Sequence, residues 1–113
     1  MSPRLTSAVL VSALIRRVAN EGGAAVVVAK GDATAGAILL ICLEKGQLTS
    51  FRERVLRIEG NYGWEAVGPS ADSPANETDA WLARRRQRDP DLWIVELDIP
   101  NAERFAAETS GDD

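Results

Sequence analysis

The sequence contains no histidine and only one cysteine, Cys42. Without an imidazole there is no base for a Ser-His-Asp or Cys-His mechanism, and no histidine-ligated zinc or haem. A lone cysteine excludes an intrachain disulfide and every cysteine cage for zinc or an iron–sulfur cluster. Long apolar runs are missing too. The longest unbroken one, Ala37–Leu43, falls far short of the ~20 residues that span a bilayer. At the N-terminus Arg4 and the apolar stretch Ala8–Ile15 imitate a secretory signal, but Arg16 and Arg17 follow where small residues and a cleavage site belong. A reduced thiol, no signal and no span together predict a cytoplasmic protein without a membrane partner.

Basic charge is also in short supply, with 13 Lys and Arg against 17 Asp and Glu and a pI near 4.8. Polyphosphate binding is driven by counterion release to basic surface, so no nucleic-acid partner is expected. The imbalance is uneven: residues 1–57 carry a net charge of +4 and residues 58–113 carry −8. Within the acidic half lies one basic knot, Arg84, Arg85, Arg86 and Arg88, read here as a solvated face whose charges pair with Asp79, Asp89 and Asp91.

What is present is an ordinary globular composition, 45% apolar over 113 residues. That is enough for one core and too little for two. A single domain over 1–109 is predicted, with the acidic stretch 110–113 as a disordered tail.

Ser7 suits a helix N-cap, and Val11, Leu14, Ile15 and Val18 follow at the spacing of one amphipathic stripe. Gly22-Gly23 should stop this helix, 7–21. Ala24–Ala29 reads as a strand. Gly36–Glu44 is the strongest strand in the chain. Ile38, Leu40 and Cys42 face one way and Leu39, Ile41 and Leu43 the other, so it should be central and covered on both faces. Lys45-Gly46 turns into a half-exposed strand, Gln47–Ile58, and Gly60-Asn61 turns into Tyr62–Gly68. After a polar loop at 69–76, Asn76 and Asp79 suggest a capping box for a helix from Glu77 to Gln87, ended by Asp89-Pro90. Leu92–Leu97 is a further strand, apolar on both faces except at Glu96, and Pro100 opens a short helix to Glu108.

The expected fold is therefore α+β, an antiparallel sheet of about five strands with three helices, in the order α-β-β-β-β-α-β-α. Three helices of these lengths leave open whether both sheet faces are covered within one chain. A second subunit could supply a missing layer.

Several stretches are similar to a known family. Arg4-Leu5-Thr6-Ser7 leads the first helix, and Lys30-Gly31-Asp32-Ala33 precedes Gly36-Ala37-Ile38-Leu39-Leu40. Asp89-Pro90-Asp91-Leu92-Trp93-Ile94-Val95-Glu96 then precedes Ala102-Glu103-Arg104-Phe105. Together these resemble the short, mostly alphaproteobacterial proteins grouped as domain of unknown function 1491. The resemblance runs over nearly the whole chain. It implies a stand-alone bacterial cytosolic protein and brings no activity with it.

The chemistry-bearing residues are few. Gly31 and Gly36 have phosphate-loop spacing, but Ala37 and Ile38 stand where Lys and Ser or Thr would be needed. Gly60-Asn61-Tyr62-Gly63 matches a KH clamp in letters only, since it joins two strands. Lys30 and Asp32, leaving a buried strand, could orient a ligand or form an exposed turn ion pair. Asp89 and Asp91 read first as turn chemistry. Arg52 and Arg54 share one strand face with Ser50. They could grip a carboxylate or phosphate together, or pair across the hairpin with Glu65. Tyr62, Trp64 and Trp93 are expected as core or interface anchors, and Cys42 as a buried, inert thiol.

Two functional readings result. The first is a small non-enzymatic protein acting through protein–protein contact, as a homodimer or with another protein, and needing no catalytic residue, cofactor or metal. The alternative is an enzyme or binding domain for a small anionic metabolite, with contacts drawn from Lys30, Asp32, Arg52 and Arg54.

Overall fold

The computed structural model describes residues 5–109; the expected acidic tail, 110–113, lies outside them. Helix α1 spans Ser7–Asn20 and buries Leu10, Val11, Leu14 and Val18 as one stripe. Its cap is Thr6, whose hydroxyl accepts from the Val9 amide at 3.3 Å. The predicted cap Ser7 lies one residue inside the helix, because its hydroxyl is used to donate to the Gly36 carbonyl at 2.6 Å. That bond ties the start of α1 to the loop before the central strand. At the other end Gly22 and Gly23 donate to Ala19 and Val18, the paired backbone bonds that close a helix.

Strands β1 (Ala24–Ala29), β2 (Ile38–Glu44), β3 (Gln47–Leu56), β4 (Tyr62–Val67) and β5 (Trp93–Asp98) form one sheet in the order β1-β5-β2-β3-β4. The expected meander holds for β2, β3 and β4, which pair antiparallel. The sheet is nevertheless mixed, since β5 runs parallel to β2 and antiparallel to β1. Parallel neighbours require a crossover, and helix α2 (Ala75–Arg88) supplies it between β4 and β5. Residues 92–97 are almost wholly apolar, so this segment gains most by an inside position with a strand on each side. The alanine-rich β1 is left at the edge.

Both sheet faces are covered within the chain. On one, α1 and α3 (Ala102–Glu108) close over Ile38, Leu40, Cys42, Trp93, Val95 and Leu97. On the other, Trp81 and Leu82 of α2 cover Leu39, Ile41, Phe51, Leu92 and Ile94. The Trp81 and Phe51 rings meet at a centroid distance of 4.9 Å. The two-faced strands β2 and β5 therefore need no second subunit to bury them.

Other boundaries shift for local reasons. α2 begins at Ala75 behind Pro74, without a side-chain cap, so the Asn76 box does not form. Proline's fixed φ lets it stand at the cap position where a longer helix can follow. α3 begins after Asn101, which takes a left-handed φ of 59°. The β3–β4 turn spans 57–61, with Arg57 and Asn61 bonded across it at 2.8 Å; of its residues Gly60 alone has positive φ.

Candidate functional site

Strand alternation puts Ser50, Arg52 and Arg54 of β3 on the face that α1 and α3 cover, opposite Ala66 and Trp64 of β4. The helices close over β1, β5 and β2 but leave this outer part of the face to polar side chains. The Arg54 guanidinium stacks on the Tyr62 ring at 3.9 Å. Arg52 Nε donates to Ser50 Oγ at 3.3 Å, and Ser50 Oγ donates to Glu103 Oε2 at 2.6 Å. Thr49 Oγ1 lies 3.2 Å from the same carboxylate oxygen and 3.0 Å from the Cys42 carbonyl, so its one proton is shared between two acceptors. Burial pushes the Glu103 carboxyl up, yet bonds from Ser50, its own backbone N–H and Thr49, with the charge of Arg52, outweigh it and hold Glu103 below its ordinary value. Glu103 is therefore an anion at neutral pH.

Between α3 and the β3–β4 hairpin lies an open cleft of about 380 Å³, lined by Arg52, Arg57, Tyr62, Trp64, Glu103 and Arg104. Arg57 pairs with Glu65 at 3.6 Å and Arg104 with Glu108 at 3.3 Å. Arg54 lines a different cleft, about 320 Å³, beside Ser7 and Gly36, and Tyr62 borders both. The suggested Glu65 partner for Arg52 and Arg54 is corrected: Glu65 stands opposite Glu53, on the α2 side of the sheet, and takes Arg57 instead.

Lys30 and Asp32 are not brought to this face. Two strands separate β1 from β3, about 14 Å at ordinary strand spacing, and Lys30 is exposed at the end of β1. Asp32 Oδ2 accepts from the Thr34 and Ala35 amides at 3.2 and 2.8 Å, and no Lys30–Asp32 ion pair forms among the described residues. The Asp32 amide donates to the Asp91 carbonyl at 3.0 Å, and the Trp93 indole donates to the Asp32 carbonyl at 2.7 Å. Gly31 and Gly36 are spaced as they are because the Asp91 carbonyl lies where a Cβ would project from either. Asp89 accepts from the Asp91 amide, as turn chemistry requires.

In the basic knot, among the described residues, the ion pair is with Glu53, and of the expected acids Asp79, Asp89 and Asp91 only Asp89 acts on Arg85, by charge without an ion pair. Arg85 reaches across from α2 to make two parallel bonds to Glu53 at 2.8 and 3.0 Å. Arg86 donates to the Leu92 carbonyl, while Arg84 and Arg88 are exposed. Two of the four charges thus fasten α2 to the sheet and its loop.

Cys42 is wholly buried under α1 and α3. Burial and then the charge of Glu103 push its thiol up to about 12, against smaller opposing effects of Ser50 and Arg52. The one thiol is a neutral core group at physiological pH.

Of Ser50, Arg52 and Arg54, which the sequence put on one strand face, only Arg52 lines the cleft beside α3; sequence reasoning therefore reached one residue of its wall. It missed Glu103 and Arg104, which come from α3, and treated Trp64 as an anchor alone. The second feature it missed is the free side of β1, where Val26, Val27 and Val28 are 53%, 38% and 52% exposed. Among the described residues no helix is long and apolar enough to cross a membrane. No group of three His, Cys, Asp or Glu side chains among them could hold a metal ion.

The fold and sequence have relatives. The crystal structure of a DUF1491 family protein from Caulobacter crescentus CB15 superposes with a TM-score of 0.77 at 32% identity, over 89% of this chain and 94% of that one. An NMR structure of a DUF1491 family protein from the same organism gives 0.75 at 31% identity, over 92% and 94%. The solution structure of an A. tumefaciens protein gives 0.66 at 32% identity, over 86% and 87%. No curated protein matches the sequence. The sequence profile of the family described as protein of unknown function (DUF1491) matches residues 5–107. With helices, sheet and core covered by that match, the chain belongs to the DUF1491 family.

Proposed function

We propose that this chain is a cytoplasmic, non-enzymatic protein that works by protein–protein contact, and that its first partner is a second copy of itself joined along β1. The observation that carries this reading is the character of that edge. β1 pairs with β5 on one side only, and its segment Ala-Ala-Val-Val-Val-Ala has no charge and no proline to discourage another strand. Only the bulge between Val27 and Ala29 interrupts it. The opposite edge, β4, carries Glu65 with Arg57 paired to it. Antiparallel pairing of β1 with its copy satisfies the outward backbone groups and covers valines with valines about a two-fold axis. It also brings Lys30 of each copy to the end where the other's exposed Glu21 precedes the strand.

The non-enzymatic reading rests on how the reactive side chains are used. The thiol is buried and neutral, Asp32 is a loop cap, and Lys30 stands apart from the arginines.

Sedimentation of the wild type and of Val27→Lys tests the proposal. The wild type should sediment as a dimer at roughly tens of micromolar, with at least about 1,000 Å² buried in total. Val27→Lys should sediment as a monomer with unchanged circular dichroism. A monomeric wild type at that concentration would refute the reading.

A further inference from the structure

We infer that the cleft between α3 and the β3–β4 hairpin is a binding site for one oxyanion group, a carboxylate or a phosphate, on a small molecule. The inference starts from Trp64. Its residue is only 9% exposed, and its indole Nε1 is buried with no acceptor among the described residues. An indole N–H can only donate, so what completes it must bring a lone pair. The contrast with Trp93 is direct, since that indole, on the same sheet face, has the Asp32 carbonyl at 2.7 Å.

Arg52 supplies the matching charge. Its Nε is taken by Ser50, and no carboxylate lies within ion-pair distance of it among the described residues. The remaining guanidinium N–H groups form the planar fork that suits an oxyanion. Arg57 and Arg104 already hold Glu65 and Glu108, so they contribute field at the rim rather than the principal bonds.

Glu103 sets the limit on the ligand. It is ionised, it lines the same cleft as Arg52 and Trp64, and Ser50 and Thr49 hold it in place. A ligand with charge along its whole length, such as a nucleic-acid backbone, would meet this carboxylate. A ligand with one oxyanion end meets it once, against the opposing charges of Arg52, Arg57 and Arg104 around the same cleft. The volume of about 380 Å³ suits a small metabolite.

The indole proton reports on its own occupancy. The three tryptophans give three indole signals in an amide correlation spectrum of the ¹⁵N-labelled full chain, and Trp64→Phe identifies the one that matters. The protein is titrated with inorganic phosphate and, separately, with succinate, at constant ionic strength. The Trp64 signal should move downfield and saturate with at least one of them, with a Kd at or below about 1 mM. Trp81 and Trp93 should stay in place. Saturation by phosphate alone assigns a tetrahedral ligand group, and saturation by succinate alone a planar one. Arg52→Gln should weaken binding at least about tenfold. Arg52→Lys keeps the charge without the fork and should weaken it at least about threefold, which decides the matter if the glutamine variant does not fold. No saturation with either anion, a shift shared by all three indoles, or a shift unaffected by the folded Arg52 variant would overturn the site.

Discussion

Alkali should reverse the advantage that Cys42 gives the folded protein. The thiol is wholly buried, and burial lifts its pKa from 9.0 to about 12. In the unfolded chain it ionises near its ordinary value, so between those two pH values the unfolded state binds fewer protons than the folded one. Stability is then fully present below pH 9 and is lost as pH rises toward 12. The slope is about 1.4 kcal/mol per pH unit, which amounts to about 2 kcal/mol by roughly pH 10.5. Replacing the sulfur, Cys42→Ala, removes that dependence at the cost of a small cavity under α1, about 1 kcal/mol at neutral pH. The two stability curves should therefore cross near pH 9.6, on the order of half a unit above the ordinary thiol value. Urea unfolding of both proteins from about pH 7 to 10.5 measures the difference directly, and titration of tyrosine, lysine and arginine cancels between them. A stability difference that stays constant over that range would show that the folded thiol ionises as readily as the unfolded one, and the burial argument would fail.

Three further outcomes are expected. Arg85→Ala should lower stability by about 1–2 kcal/mol in thermal unfolding, since it leaves the half-buried Glu53 without its two parallel bonds. Gly68→Ala should cost about 2–4 kcal/mol by denaturant unfolding, because Gly68 has φ +70° and a Cβ there would strike the Trp81 ring. Glu103→Gln should flatten the acid limb of the stability profile: the folded carboxyl titrates below its ordinary 4.5, so its stabilisation is present above that value and is lost as pH falls through the folded value.

The local parts of this fold were legible because local physics decides them. The stripe of Leu14 and Val18 on α1 and the alternation of Leu40 and Cys42 against Leu39 and Ile41 on β2 follow from side-chain period alone. Strand order was not, because β5 takes its place between β1 and β2 through a competition among segments far apart in sequence. That one insertion explains why Lys30 ends far from Arg52, and why two helices on one face and one on the other suffice to cover the sheet. Arg52 was legible in the sequence as a candidate contact. Its place in one cleft with Trp64 and Glu103 was not, because only the return of the chain through β5 sets α3 beside the β3–β4 hairpin.

The position of β5 also governs when this protein can fold. β5, the fifth of the five described strands in chain order, is the one that joins the first strand to the middle of the sheet, pairing Ala24 with Asp98 and Ile38 with Trp93. These pairings close loops of more than fifty residues, which slows two-state folding. During synthesis, a nascent chain that stops before residue 92 has α1 and the β2–β3–β4 meander but nothing for β1 to pair with. Neither half is then an autonomous unit. The valine-rich segment 24–29 waits with both of its sides unpaired until β5 emerges, and that interval is when association with another nascent chain competes most strongly with folding.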